Sequence, residues 1–175
     1  MKKSPKISVG NCNEREAPAV DAKLQVASFI AKFPPDVAKQ AEEVLQKMRE
    51  LYPTAVELVY DNYNALAIGF SPTERASDAI FSIALYPRWV SLFFLQATGL
   101  IDPQRLLKGN GKVAKHIVLT TPGLLLERAV KTLMRDAVRK ARVPFETRGT
   151  HRLIIKSVSA KQRPRRPAHE TSTKR

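Results

Sequence analysis

Apolar positions recur along this chain in two rhythms, and the places where the rhythm changes divide it into elements. In DAKLQVASFIAK, residues 21–32, Leu24, Ala27, Phe29 and Ile30 fall at near-helical spacing until Pro34-Pro35 stop the run, since proline lacks a donor and restricts the residue before it. From about Pro35 to Tyr52, Val37, Ala41, Val44, Leu45, Met48 and Leu51 recur at steps of three and four. Glu43 and Lys47 pair on the opposite side and Pro53 closes the run, which predicts an amphipathic helix.

Between Val56 and Leu95 the period drops to two. The stretches AVELVY, NALAIGF, DAIFSIALYP and RWVSLFFLQ are rich in β-branched and aromatic residues. They are separated by Asp61-Asn62, by the polar SPTERAS and by Pro87, which predicts four antiparallel strands. In the fourth, Trp89, Phe93 and Leu95 share one face, and Val90, Leu92 and Phe94 share the other. Neither face suits water, so this strand is expected to be covered on both sides or to form a subunit contact, and a homodimer is a candidate assembly.

After Gly99, LIDPQRLLKGNG reads as a short turn or helix ending in glycines, and KHIVLT as a fifth strand. A helix then follows with Thr121 as N-cap, Pro122 at its first position and Leu126, Val130, Leu133, Ala137 and Ala141 facing inward. HRLIIKSVS suits a sixth, edge strand. These elements define an α+β fold: one domain with an antiparallel sheet of about five or six strands and helices packed on it. The expected division is a flexible segment over residues 1–20, the α+β domain over 21–145, an extra edge strand within 146–159 and a disordered basic tail over 160–175.

Composition narrows the class. With 175 residues, 43% hydrophobic and 26% charged, the chain can bury one real core and little more. The longest apolar runs fall well short of the roughly 18 residues of a membrane span, and the lysines of MKKSPK precede no apolar stretch of a signal peptide. Cys12 is the only cysteine, which excludes an intramolecular disulfide and suits a reducing cytoplasm. Most of the formal charge of +14 lies in residues 139–175, where Glu146 and Glu170 are the only acids. A basic extension beside a nearly balanced domain points to an electrostatic arm more than to a basic cleft.

The stretch Gly109-Asn110-Gly111-Lys112 invites a phosphate-loop reading. A nucleotide-triphosphate loop needs four residues between its first glycine and Gly-Lys, whereas one intervenes here and Val113 follows. GNGKVA fits G-x-G-x-x-A, yet a dinucleotide turn lies between a strand and a helix, and here a strand follows. What remains is a glycine turn, with Gly109, Asn110 and Gly111 expected at positive φ. His116, His151 and His169 show no metal-ligand spacing, and no paired carboxylates emerge, so no metal, cofactor or catalytic set is assigned. In the tail, Lys161, Arg163, Arg165 and Arg166 can either track nucleic-acid phosphates or serve only as a solubilising extension.

Three pieces together, YDNYNALAIGF, ALYPRWVSLFFL and the DP-x-x-LL-x-G-x-GK stretch continuing into KHI, resemble the YdhG-like family of small bacterial domains of unknown function, over about Val37 to Arg142. Members often carry Arg where this chain has Lys115, which keeps the charge but not the planar donor. The resemblance implies helices packed on an antiparallel sheet and implies no activity. Some relatives are described as similar to frataxin and linked to iron, but an iron-delivery surface presents clustered carboxylates, so iron is not carried over.

The reading that follows is a non-enzymatic cytoplasmic binding domain for an anionic small molecule or peptide. Its expected face comprises Tyr60, Tyr63, Tyr86, Arg88, Lys112, Lys115 and His116, where aromatic and cationic residues gather at strand ends and the glycine turn. The alternatives are nucleic-acid association through the basic tail and an enzyme with a dispersed acid/base site near His116, which requires a carboxylate within reach of that histidine.

Overall fold

The computed structural model describes residues 17–166 of the chain. Helix α1 spans Ala17–Ile30 and α2 spans Pro35–Leu51. Four strands follow, β1 Val56–Asp61, β2 Leu66–Ser71, β3 Phe81–Tyr86 and β4 Trp89–Phe94, and then β5 Lys115–Leu119, α3 Arg128–Lys140 and β6 Arg152–Val158. They form one six-stranded sheet in the order β5-β4-β3-β2-β1-β6, with helices packed on it: a single α+β domain.

The helical face of the sheet holds the core. The register aligns Val59, Ile68, Ile83, Leu92 and Ile117 in one row across five strands, and all are buried. Against them α2 sets the stripe read from the sequence, with Val37, Ala41, Val44, Leu45 and Met48 buried. Phe33, Phe70, Phe81 and Phe94 are the largest fully buried side chains, each contributing about 1.5–3 kcal/mol by leaving water. Pro35 at the first helical position starts α2 without losing a hydrogen bond, and Asp36 in the first turn complements the helix dipole.

Four expectations are corrected. First, α1 begins at Ala17, so residues 17–20 belong to a helix; the rest of the expected flexible segment lies outside the described residues. Second, the helix expected to run from Thr121 is broken. Pro122–Leu126 form a 3-10 turn, Glu127 is extended at ψ 138, and α3 starts at Arg128. The tighter turn changes the phase, so Leu125 is fully buried while Leu126 is 46% exposed, and Thr121 makes no side-chain cap.

Third, β6 is the edge strand expected, but it runs parallel to β1. The connection through α3 carries the chain from one end of the sheet to the other, so β6 starts beside the start of β1. Fourth, within the glycine turn only Gly109 has positive φ (108°); Asn110 does not, and Arg105 (54°) does. Gly111 serves close approach instead, since a Cβ there would lie 3.0 Å from the Ala114 carbonyl oxygen.

Candidate anion-binding groove

The β1–β2 and β3–β4 turns lie at the same end of the sheet, because Leu66 pairs with Leu85 and Leu85 with Val90. Strand β6, parallel to β1, also finishes there. The chain beyond it does not leave. Ser159 N–H donates to the Asp61 carbonyl (2.8 Å) and Arg163 N–H to the Tyr63 carbonyl (3.0 Å), which lays residues 159–166 along the β1–β2 turn.

Arg165 locks this return. One guanidinium nitrogen, Nη2, donates to Asp61 Oδ1 at 2.8 Å and to the Asn62 carbonyl, and the group lies over the Phe33 ring, 5.3 Å from its centre. Lys32 Nζ donates to the other carboxylate oxygen of Asp61 at 2.9 Å. The Arg165 side chain is only 4% exposed and that of Asp61 1%. The disordered tail expected over residues 160–175 is therefore corrected for residues 160–166, which pack because a buried carboxylate and an aromatic ring receive the arginine; residues 167–175 lie outside the described region. Arg165 is spent on the fold and is not available to a phosphate.

Its neighbours are. Arg163 and Arg166 are exposed and, with Asn64, Tyr86, Pro87, Arg88, Trp89 and Pro164, line an open concavity of 640 Å³. Tyr86 and Trp89 stack across the β3–β4 turn with centroids 5.1 Å apart and planes at 25°. Trp89 remains 42% exposed, so the indole still offers surface to a ligand. Burial pushes the Tyr86 hydroxyl up, which keeps it a neutral donor. Among the described residues no acid lines the concavity. The arrangement can hold a negatively charged group between guanidinium donors and a flat ring against the indole.

The seven residues expected to form one face are not gathered together. Tyr86 and Arg88 enter the groove, Tyr63 is 51% exposed in the neighbouring β1–β2 turn, and Tyr60 is half-buried on β1. Lys112, Lys115 and His116 lie at the opposite end of the sheet, since Lys115 pairs with Phe94 at the far end of β4. There Lys115 Nζ donates to the Gly109 carbonyl at 2.5 Å, an internal contact that braces the glycine turn. The His116 ring stacks on Phe93 at 5.0 Å, and among the described residues no carboxylate hydrogen-bonds to it.

The histidine that does meet a carboxylate is His151. Its Nε2 lies 2.7 Å from Glu57 Oε1, while Arg49 forks onto the same carboxylate at 2.6 and 2.9 Å. Burial raises the Glu57 pKa, and the hydrogen bonds from Arg49 and His151 outweigh it, leaving the carboxyl below its usual value. A 360 Å³ cavity lies beside this cluster with mainly apolar walls, including Val26, Ile30 and Leu45, and its Arg49 and His151 are already engaged with Glu57. A larger groove of 750 Å³ at the end of α2 and along α3 is basic, but its only ring, Tyr52, is packed against Phe81 and Phe145. Neither combines free cations with an available aromatic surface. Glu57 and Asp61 were the legible signal for both buried clusters: two acids on one face of an otherwise apolar strand, which must be paired to be buried.

Among the described residues no helix is long and apolar enough to cross a membrane, and no three His, Cys, Asp or Glu side chains group as metal ligands. Comparison with known proteins yields no matching family model, no matching curated protein and no matching solved structure.

Proposed function

We propose that this chain is a YdhG-like, non-enzymatic binding domain, and that its ligand is an anion carrying a flat ring, held in the groove between Arg88, Arg163, Arg166 and the Tyr86–Trp89 stack. The supporting observation is the return of residues 159–166. By burying Arg165 on Asp61, the chain sets Arg163 and Arg166 beside the β3–β4 turn, so cations from two distant parts of the sequence face one indole. Holding that basic segment against the domain lowers the entropic cost of ordering it on a ligand. Less supports the acid/base alternative at His116, since among the described residues no carboxylate hydrogen-bonds to that ring, which stacks on Phe93.

Trp89 is the only tryptophan of the chain, so its fluorescence reports on this groove alone. Titration with AMP and ATP is expected to quench it saturably, while adenosine, which has the ring without the charge, quenches it far less. Arg88→Ala or Arg163→Ala should each weaken AMP binding about tenfold, the loss of roughly one charge-assisted hydrogen bond. Absence of quenching by either nucleotide at millimolar concentration overturns the proposal.

A further inference from the structure

All three helices pack on one face of the sheet, and the opposite face carries a trough bounded by two stacked pairs. Tyr86 and Trp89, directly paired in the register, form one wall. The second is Phe93 with His116, also paired and stacked at 5.0 Å. The floor between them is the row Ala67, Ala84, Ser91 and Val118, in which Ala84 and Ser91 are buried and Val118 is half-buried. Trp89 and Phe93 are four residues apart on one strand, which puts the walls about 13 Å apart.

Each end of the trough is cationic. Arg88, Arg163 and Arg166 lie beside the first wall. Beside the second, Lys108 pairs with His116 across the edge of β5 and so projects to the same face, and the exposed Lys112 follows in the glycine turn. None of the six strands places an Asp or Glu on this face; Glu57 and Asp61 both point to the helices. Two flat platforms joined by a low, uncharged floor, with positive charge at both ends and no strand acid between, complement a polyanion that presents more than one ring.

We infer that the ligand is a single-stranded nucleic acid, laid along β4 with one base against Trp89, another against Phe93, and its phosphates at the two cationic ends. This rests on the groove proposed above and extends it. A mononucleotide's one base can stack on only one wall, whereas a strand can use both, and stacking tolerates any base sequence.

The experiment measures Trp89 quenching by AMP and by 12-nucleotide poly(A) RNA and poly(dA), with the full chain and with two variants whose folding is checked by thermal melting. The oligonucleotides are expected to bind at least tenfold more tightly than AMP. The logarithm of their affinity should fall with that of salt concentration at a slope of about −3.5, as five cations meeting single-stranded phosphates predict. Phe93→Leu and the surface double variant Lys108→Ala/Lys112→Ala should each weaken the oligonucleotide about five- to tenfold and leave AMP unchanged. If AMP binds as tightly as the 12-mers, or if both variants leave the oligonucleotide unaffected, the strand inference falls and the groove survives. If neither AMP nor oligonucleotide quenches Trp89, both fall. A concentration-dependent dimer that shields Trp89 from all of them assigns the trough to a second copy of this chain and overturns the inference. RNA against DNA distinguishes the two sources of the same chemistry.

Discussion

Strand β1 buries two carboxylates on the same face, Glu57 and Asp61, with Val59 between them, and they are held in instructively different ways. Glu57 receives a forked arginine from α2 and the ring of His151, which stands just before β6. Asp61 receives Lys32 from the α1–α2 connection and Arg165, from the return after β6. Each pair of partners therefore joins a helical segment and the C-terminal segment to one strand, and together they fasten β6 at both ends. The difference lies in exposure. The Arg49 side chain is 40% exposed and can turn to water if its partner is lost, whereas that of Arg165, at 4%, cannot.

That contrast orders the expected effects. Asp61→Ala leaves Arg165 buried without its counter-charge and should cost about 3–5 kcal/mol in urea unfolding; it should also release residues 159–166 to proteolysis and, with them, abolish nucleotide quenching of Trp89. Glu57→Gln, whose partner Arg49 can rehydrate, should cost less, about 2 kcal/mol, and leave quenching intact. Equal costs for the two variants would break the comparison.

The pH dependence sharpens it. The Glu57 carboxyl is held below its usual value in the folded state, so its contribution is present above the unfolded carboxylate pKa of about 4.3 and is lost as pH falls through the folded value. Thermal melts of wild type and Glu57→Gln should differ above the unfolded carboxylate range and converge as the pH falls below it. The smallest effect is expected for His151→Phe, which removes one of three hydrogen bonds to Glu57 and should cost about 1 kcal/mol. A loss as large as that of Glu57→Gln would mean that the ring, rather than the arginine fork, holds the cluster.

Much of the domain follows from periodicity. The stripe of α2, the four central strands, β5 and the edge placement of β6 all reflect local alternation of apolar and polar residues, which survives folding because those faces meet the core. The break at Glu127 was not legible, because Leu125 and Leu126 are chemically alike and only their packing decides which one turns inward.

For the site, residue type alone marked Tyr86, Arg88, Arg163 and Arg166 as aromatic and cationic candidates, but in two separate groups, one in the domain and one in the tail. Their meeting was decided by tertiary structure: Asp61 inside an apolar strand needs a counter-charge, and the chain brings Arg165 back to supply it. The same geometry parted Lys112, Lys115 and His116 from Tyr86 and Arg88, because an antiparallel meander sends the two ends of β4 to opposite ends of the sheet. Sequence determines which side chains a strand offers to each face; the long-range pairing of strands and buried charges decides which of them become neighbours.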